Sequence, residues 1–158
     1  MTIAPRRLHP GAAEIAAAHA LMVETFAYMD RRIDPPSSLT RMTAVSLAED
    51  AATKELWIIP GADGAPVACV LLTPAKDHLY IGKLAVTRAA RGRGHARRLI
   101  DHAADRARML GLPCLRLQTR VELTENQATF RRLGFRETGR TAHPGFDHPT
   151  SVTFTRAL

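Results

Sequence analysis

The sequence predicts a single α/β domain, and three observations carry that expectation. Helical and strand-like hydrophobic periods alternate along the chain, Gly and Pro mark the switches between them, and a strand–glycine-rich loop–helix segment lies near the middle. The 158 residues match one domain, on a prior of ~150 residues each. A chain of this size can bury roughly two thirds of its unfolded surface. Neither a repeat nor a linker interrupts residues 1–158, which read as one unit.

The elements follow in order. Ile3 to Leu8 reads as a first strand. Pro10 sits where helices begin. Ile15, Ala18, Met22, Thr25, Phe26 and Met29 keep helical spacing, so an amphipathic helix is expected over 11–29. Asp34-Pro35-Pro36-Ser37-Ser38 breaks it, and Ser38 is the expected cap of a second helix over 39–53. The period then changes. Leu56-Trp57-Ile58-Ile59 is a short strand stopped by Pro60-Gly61. Asp63-Gly64 signals a turn, and Val67 to Thr73 completes a hairpin. Leu79 to Val86 is another strand, with Gly82 marking a bulge. Residues 94–110 form the clearest helix: Ala96, Leu99, Ile100, Ala103, Ala107 and Leu110 share one face, and arginines and aspartates the other. Gly111 and Pro113 end it. Cys114 to Thr119 alternates as a strand. Thr124 to Leu133 is a short helix closed by Gly134. Two last strands, 135–142 and 151–157, are joined through His143-Pro144-Gly145.

Composition removes several function classes. Hydrophobic residues are 46% and charged residues 23%, so the chain is globular rather than disordered. Cys69 and Cys114 lie in apolar, strand-like runs with no second ligand cluster, so both read as buried reduced thiols and no metal site is expected. No apolar run approaches the ~20 residues that span a bilayer. Glu14, His19 and Glu24 interrupt the alanine-rich start, which therefore reads as strand and helix rather than signal peptide. The expected address is the cytoplasm, with no membrane partner. The net charge of +7, from 22 Lys+Arg against 15 Asp+Glu, favours anionic partners in general. The seven Phe and Tyr are not interleaved with the basic residues, which weakens a nucleic-acid reading; no sequence-specific nucleic-acid binding is expected.

Residues 84–100, LAVTRAARGRGHARRLI, carry the chemistry. A strand ends at Val86 and a helix opens across Arg91-Gly92-Arg93-Gly94-His95-Ala96. Glycines let the backbone turn tightly and come close to a ligand. The free N–H groups of the first helical turn, with the helix dipole, make an anion site, to which Arg91, Arg93 and Arg97 add charge. A pyrophosphate suits it. The Lys-Ser/Thr ending of a P-loop is missing, and so are the position and spacing of a dinucleotide fingerprint. The residues alone also allow a glycine-rich turn beside a solvated arginine face.

Arg91-x-x-Gly94-x-Ala96, after a strand ending Leu84-Ala85-Val86, resembles the coenzyme A-binding motif of the GNAT acetyltransferases. Downstream, Asn126-x-Ala128-x-Phe130-x-x-x-Gly134-Phe135 resembles that family's late motif. The resemblance is specific over 78–135. It implies a GNAT fold: a mixed, splayed central sheet of about six to seven strands with flanking helices. It implies acetyl-coenzyme A as co-substrate, its pantetheine lying between the strand ending at Val86 and strand 114–119. Leu84, Ala85 and Val86 would meet the pantetheine. Arg91, Gly92, Arg93, Gly94, His95, Ala96 and Arg97 would surround the pyrophosphate, and Asn126 and Phe130 would complete the cofactor site. A backbone N–H of the bulged strand would face the thioester oxygen while a bound amine attacks directly. The acceptor would be a small-molecule or protein amine, and a homodimer is a family-level expectation.

The chain departs from that pattern twice. Phe130 stands where many relatives carry the tyrosine that protonates the leaving thiolate. Gly82 and Lys83 stand where many carry a carboxylate base. His143 in the last loop and Glu122 after strand 114–119 are the candidate catalytic groups, with Tyr28, Asp30, Asp34, Asp147 and His148 as weaker ones. The 34–38 loop reads equally as a pocket wall or as a helix boundary. A GNAT-like module that holds coenzyme A without chemistry, or a basic nucleic-acid-binding domain, are the rival readings.

Overall fold

The computed structural model describes residues 3–158. Its elements are β1 (Arg6–Leu8), α1 (Ile15–Phe26), α2 (Ala44–Thr53), β2 (Glu55–Pro60), β3 (Pro66–Pro74), β4 (Leu79–Val86), α3 (His95–Met109), β5 (Cys114–Arg120), α4 (Thr124–Arg132), β6 (Arg136–Thr141) and β7 (Ser151–Ala157). Every predicted strand forms. Two helices differ from expectation. The first stops at Phe26 and tightens into a 3-10 turn, Ala27–Arg31. Met29 and Ile33 are then buried with Leu123 rather than along α1. The helix expected over 39–53 is two pieces. Ser37, not Ser38, caps a 3-10 turn at Ser38–Arg41, its side chain accepting the Leu39 N–H at 3.2 Å. Thr43 and Ser46 then exchange side-chain and backbone hydrogen bonds at 3.0 and 2.9 Å. That reciprocal cap satisfies two orphan donors and starts α2 afresh.

The seven strands form one sheet in the order β1-β2-β3-β4-β5-β7-β6, antiparallel throughout except for β4 beside β5. β3 lies between β2 and β4, buried on both faces. Val70 and Leu72 join Leu99, Ile100 and Ala103 of α3 on one side. Cys69 and Leu71 join Ile15, Ala18 and Met22 of α1 and Leu47 of α2 on the other. Two helical layers thus enclose the sheet, as the alternating elements require. The apolar stripe of α3 is buried from Leu99 to Ala107, while Ala96 is half-buried and Leu110, just past the helix, is exposed; Arg97, Asp101, Asp105 and Arg108 face water. Cys114 is only half-buried, against the sequence expectation; Cys69 is fully buried and its thiol is pushed up to about 12. Among the described residues, no helix is long and apolar enough to cross a membrane.

A buried ion pair ties β2 to α3. Glu55, 5% exposed, accepts from Arg106 Nε at 2.8 Å and Nη2 at 2.9 Å, and from the Trp57 indole at 3.0 Å. Burial alone would raise the Glu55 carboxyl, but these donors hold it below the ordinary carboxylate value.

Candidate active site

The site begins where the sheet comes apart. β4 and β5 pair only at Leu79–Leu115 and Tyr80–Arg116. Beyond Tyr80 the strands run on without pairing, which leaves backbone donors and acceptors of β4 open toward the gap. β4 also bulges. Cys69 opposes Ala85 but Leu71 opposes Gly82, so one extra residue sits on β4. The sequence placed the irregularity at Gly82; the residue with positive φ is its neighbour Lys83, at 55°. A non-glycine residue held there marks a strained position of the kind that gathers at functional sites.

The gap opens into a groove of about 1810 Å³ that runs from the α3 N-terminus to the 33–41 loop. Leu84, Val86, Arg91 and Ala96 line one part of it. Ala85, between Leu84 and Val86, turns its side chain into the α1 side of the core, so only its backbone is available. Gly92 and Gly94 have φ of 78° and 80°, and a Cβ on either would meet no protein atom within 4 Å. Gly94 is the residue before α3, and no side chain caps that helix. The first-turn N–H groups are therefore left for a ligand. Arg91, Arg93 and Arg97 are exposed around this cradle. His95 is half-buried, near Arg98 and Arg93, and burial with those charges lowers its pKa. A phosphate fits these residues: open backbone donors, room without side chains, and surplus positive charge.

On the opposite wall, α4 contributes Asn126 and Phe130. Phe130 packs at 6.1 Å from Phe135 and 6.3 Å from Phe154, centroid to centroid, and presents an apolar surface to the groove. Asn126 Nδ2 donates to the Tyr28 hydroxyl at 3.4 Å. Arg32 reaches across to Glu125 as an ion pair and donates to the Glu122 carbonyl at 3.3 Å. These contacts bring the segment after α1 over the end of the gap.

The catalytic candidates meet at that end. His143 lines the groove. Its Nδ1 is engaged by the Thr150 hydroxyl, which also accepts the His143 N–H at 2.9 Å; Thr150 is fully buried. Burial, then the positive charge of Arg120, lower the imidazole's pKa, with Glu122 opposing. Both effects favour the neutral imidazole over its protonated form, as a base requires. Glu122 stands apart from the groove wall. Its Oε2 accepts the Asp34 N–H at 3.1 Å, and its Oε1 is buried without a protein partner. The 34–38 loop, left open between two readings, is a pocket wall: Pro35 to Ser38 all line the groove. Asp147 and His148 bond to each other at 3.0 Å, outside it. Sequence reasoning missed Arg120. The alternation Arg116, Gln118, Arg120 on the polar face of β5 was its only signal.

The comparisons with known proteins decide the family. The model of the acetyltransferase (GNAT) family matches residues 20–135. The chain belongs to the GNAT acetyltransferase family. It is an acyltransferase by that membership, and the open seven-stranded sheet is the family's fold. Three solved structures share the architecture. A GNAT-family acetyltransferase from Staphylococcus aureus superposes with TM-score 0.75 at 13% identity, over 98% of this chain and 99% of that one. A GNAT acetyltransferase from Elizabethkingia anophelis with acetyl-CoA bound gives 0.70 at 16% identity, over 99% of each chain. An IAA acetyltransferase from Bacillus cereus gives 0.68 at 16%, over 99% of this chain and 100% of that one. No curated protein matches the sequence.

Proposed function

We propose that this GNAT protein moves an acetyl group from acetyl-coenzyme A to an amine held in the same groove. The observation that carries this reading is the continuity of three features: the unpaired edge of β4, the flanks of the glycine cradle at Arg91 and Ala96, and the acceptor-side loop share one groove. Residues 91–97 hold the phosphates, with Gly92 and Gly94 giving room and Arg91 and Arg93 charge. The backbone at Leu84, Ala85 and Val86 takes the pantetheine. A neutral amine nitrogen attacks the thioester carbonyl carbon, the C–S bond breaks, and the thiolate leaves. As the C–N bond forms, His143, through Nε2, takes the proton from the attacking nitrogen. Holding both reactants in line supplies much of the rate. Glu122 acts at most through the Asp34 loop. The protein is expected in the cytoplasm, with nucleic acid bound only weakly and nonspecifically.

Phe130 supports a second reading, a coenzyme A-holding module of little activity, because its ring has no proton to give the thiolate. A free thiol of pKa ≈ 8.5 leaves without help at mild alkalinity, so the active reading is preferred. Purified protein with acetyl-coenzyme A and a panel of amines, read as thiol release, tests it. Acetyl-dependent turnover is expected, with binding abolished in Arg91→Glu. Binding without turnover of any amine would establish the second reading.

A further inference from the structure

The acceptor half of the groove holds two partly buried cations, Lys83 and Arg120, that make no ion pair among the described residues. Lys83, on the bulge, donates from Nζ to Ser38 Oγ at 2.9 Å. Arg120, at the end of β5, donates from Nη2 to the Pro36 carbonyl at 3.2 Å. Both reach the same loop from the two strands that separate. Two residues of chain span at most about 7 Å, so the two charged heads converge over one short stretch. Both partners are neutral. Among the described residues, neither cation makes an ion pair within 4.0 Å.

The acidic groups nearby lie outside ion-pair distance of both cations: Glu122 and Asp34 act on Arg120, and Asp50 on Lys83, only through their charge at longer range. Asp50 is bound to Lys54 at 3.3 Å, and Glu125 to Arg32. Glu122 gives Oε2 to the Asp34 N–H; its Oε1, like Arg120 Nη1, is buried with no hydrogen-bond partner. Glu24, the remaining carboxylate on the groove wall, is exposed. Burial lowers the pKa of Lys83 and of Arg120, the mark of cations taken from water without full compensation. Sequestered charges are ordinarily paired. The phosphates of the co-substrate cannot supply the partner, because they belong at α3, past the far end of β4. Pantetheine is uncharged.

From this convergence we infer that the acceptor amine carries a carboxylate, which Lys83 and Arg120 hold against the 36–38 loop while the amine faces the gap. The inference rests on the acetyl-transfer reading for the amine, and on the groove alone for the anion. The acceptor class is thus the amino acid-like, carboxylate-bearing amines.

Matched acceptors test it: free amino acids against their carboxamides, which keep the same side chain, with rates compared per neutral amine because the amide lowers the amine's pKa. Thiol release is expected to favour the carboxylate member in kcat/KM by at least about tenfold, the worth of one charge-assisted hydrogen bond. Lys83→Gln, which can still bond Ser38, and Arg120→Gln should each erase most of that preference. Both should bind acetyl-coenzyme A as the wild type does, which shows they are folded. A second arm needs no turnover. N-acetylated amino acids and their amides are compared for thermal stabilisation of the coenzyme A-loaded protein. Stabilisation by the carboxylates alone, lost in either variant, would support the anion site even if no amine were acetylated. Equal or no stabilisation by the two members, or a preference for amides in either arm, would overturn it.

Discussion

Gly94→Ala separates backbone strain from ligand contact at the cradle. At φ 80° the added methyl meets no protein atom within 4 Å, so its cost to the free protein is conformational alone. An L-residue in the left-handed region costs about 1–2 kcal/mol. For a domain of this length that lowers Tm by about 2–8 °C. Gly64→Ala is the control. Gly64 has φ 85°, equally open space around its Cβ, and a place in the β2–β3 turn away from the groove. Both variants should lose similar stability by thermal denaturation. Only Gly94→Ala should lose acetyl-coenzyme A affinity in calorimetry, by at least about tenfold or 1.4 kcal/mol, because its methyl occupies the space given to the phosphate. Unchanged affinity in Gly94→Ala, or an equal loss in Gly64→Ala, would refute the assignment of this loop.

Three further outcomes follow from the geometry. Phe130→Tyr should keep or raise turnover, read as thiol release against pH. A hundredfold loss with normal acetyl-coenzyme A binding would make Phe130 a packing element of the acceptor side. If neutral His143 is the base, kcat/KM counted per neutral amine should hold as pH falls through neutrality and decline only below the ordinary imidazole value of 6.5, since burial and Arg120 lower its pKa; His143→Gln should remove that limb and cost about a hundredfold. Glu55→Ala should destabilise by about 3 kcal/mol, because Arg106 and the Trp57 indole lose their acceptor. The Glu55 carboxyl is depressed when folded, so its contribution is present above the ordinary 4.5 and lost as pH falls through the lower folded value. Wild type and variant should therefore converge in acid, which denaturant titrations at several pH values would reveal.

Local patterns were legible wherever one residue's neighbours in sequence are also its neighbours in space. The two-residue period of β5, the stripe of α3 and the glycine cradle are of this kind. The break at Thr43 escaped because Ser38, Thr43 and Ser46 offer equivalent capping chemistry, and only the surrounding contacts select among them. Longer-range features left little trace. Glu55 and Arg106 are far apart in sequence, and nothing around either residue announces the other. Lys83 could be read as a departure at its position, and Arg120 hardly at all. What makes them a pair is the 36–38 loop, drawn from a third region of the chain.

The near-absence of pairing between β4 and β5 has a mechanical consequence. Each half of the sheet is continuous, and two residue pairs, with α3 behind them, join the halves. A pantetheine arm lying in the gap would act as a temporary strand, closing a seam that the polypeptide leaves unstitched. The protein would be stiffest while loaded and would loosen each time the spent thiol departs. Turnover and local rigidity would then rise and fall together, with the seam as the place where both are set.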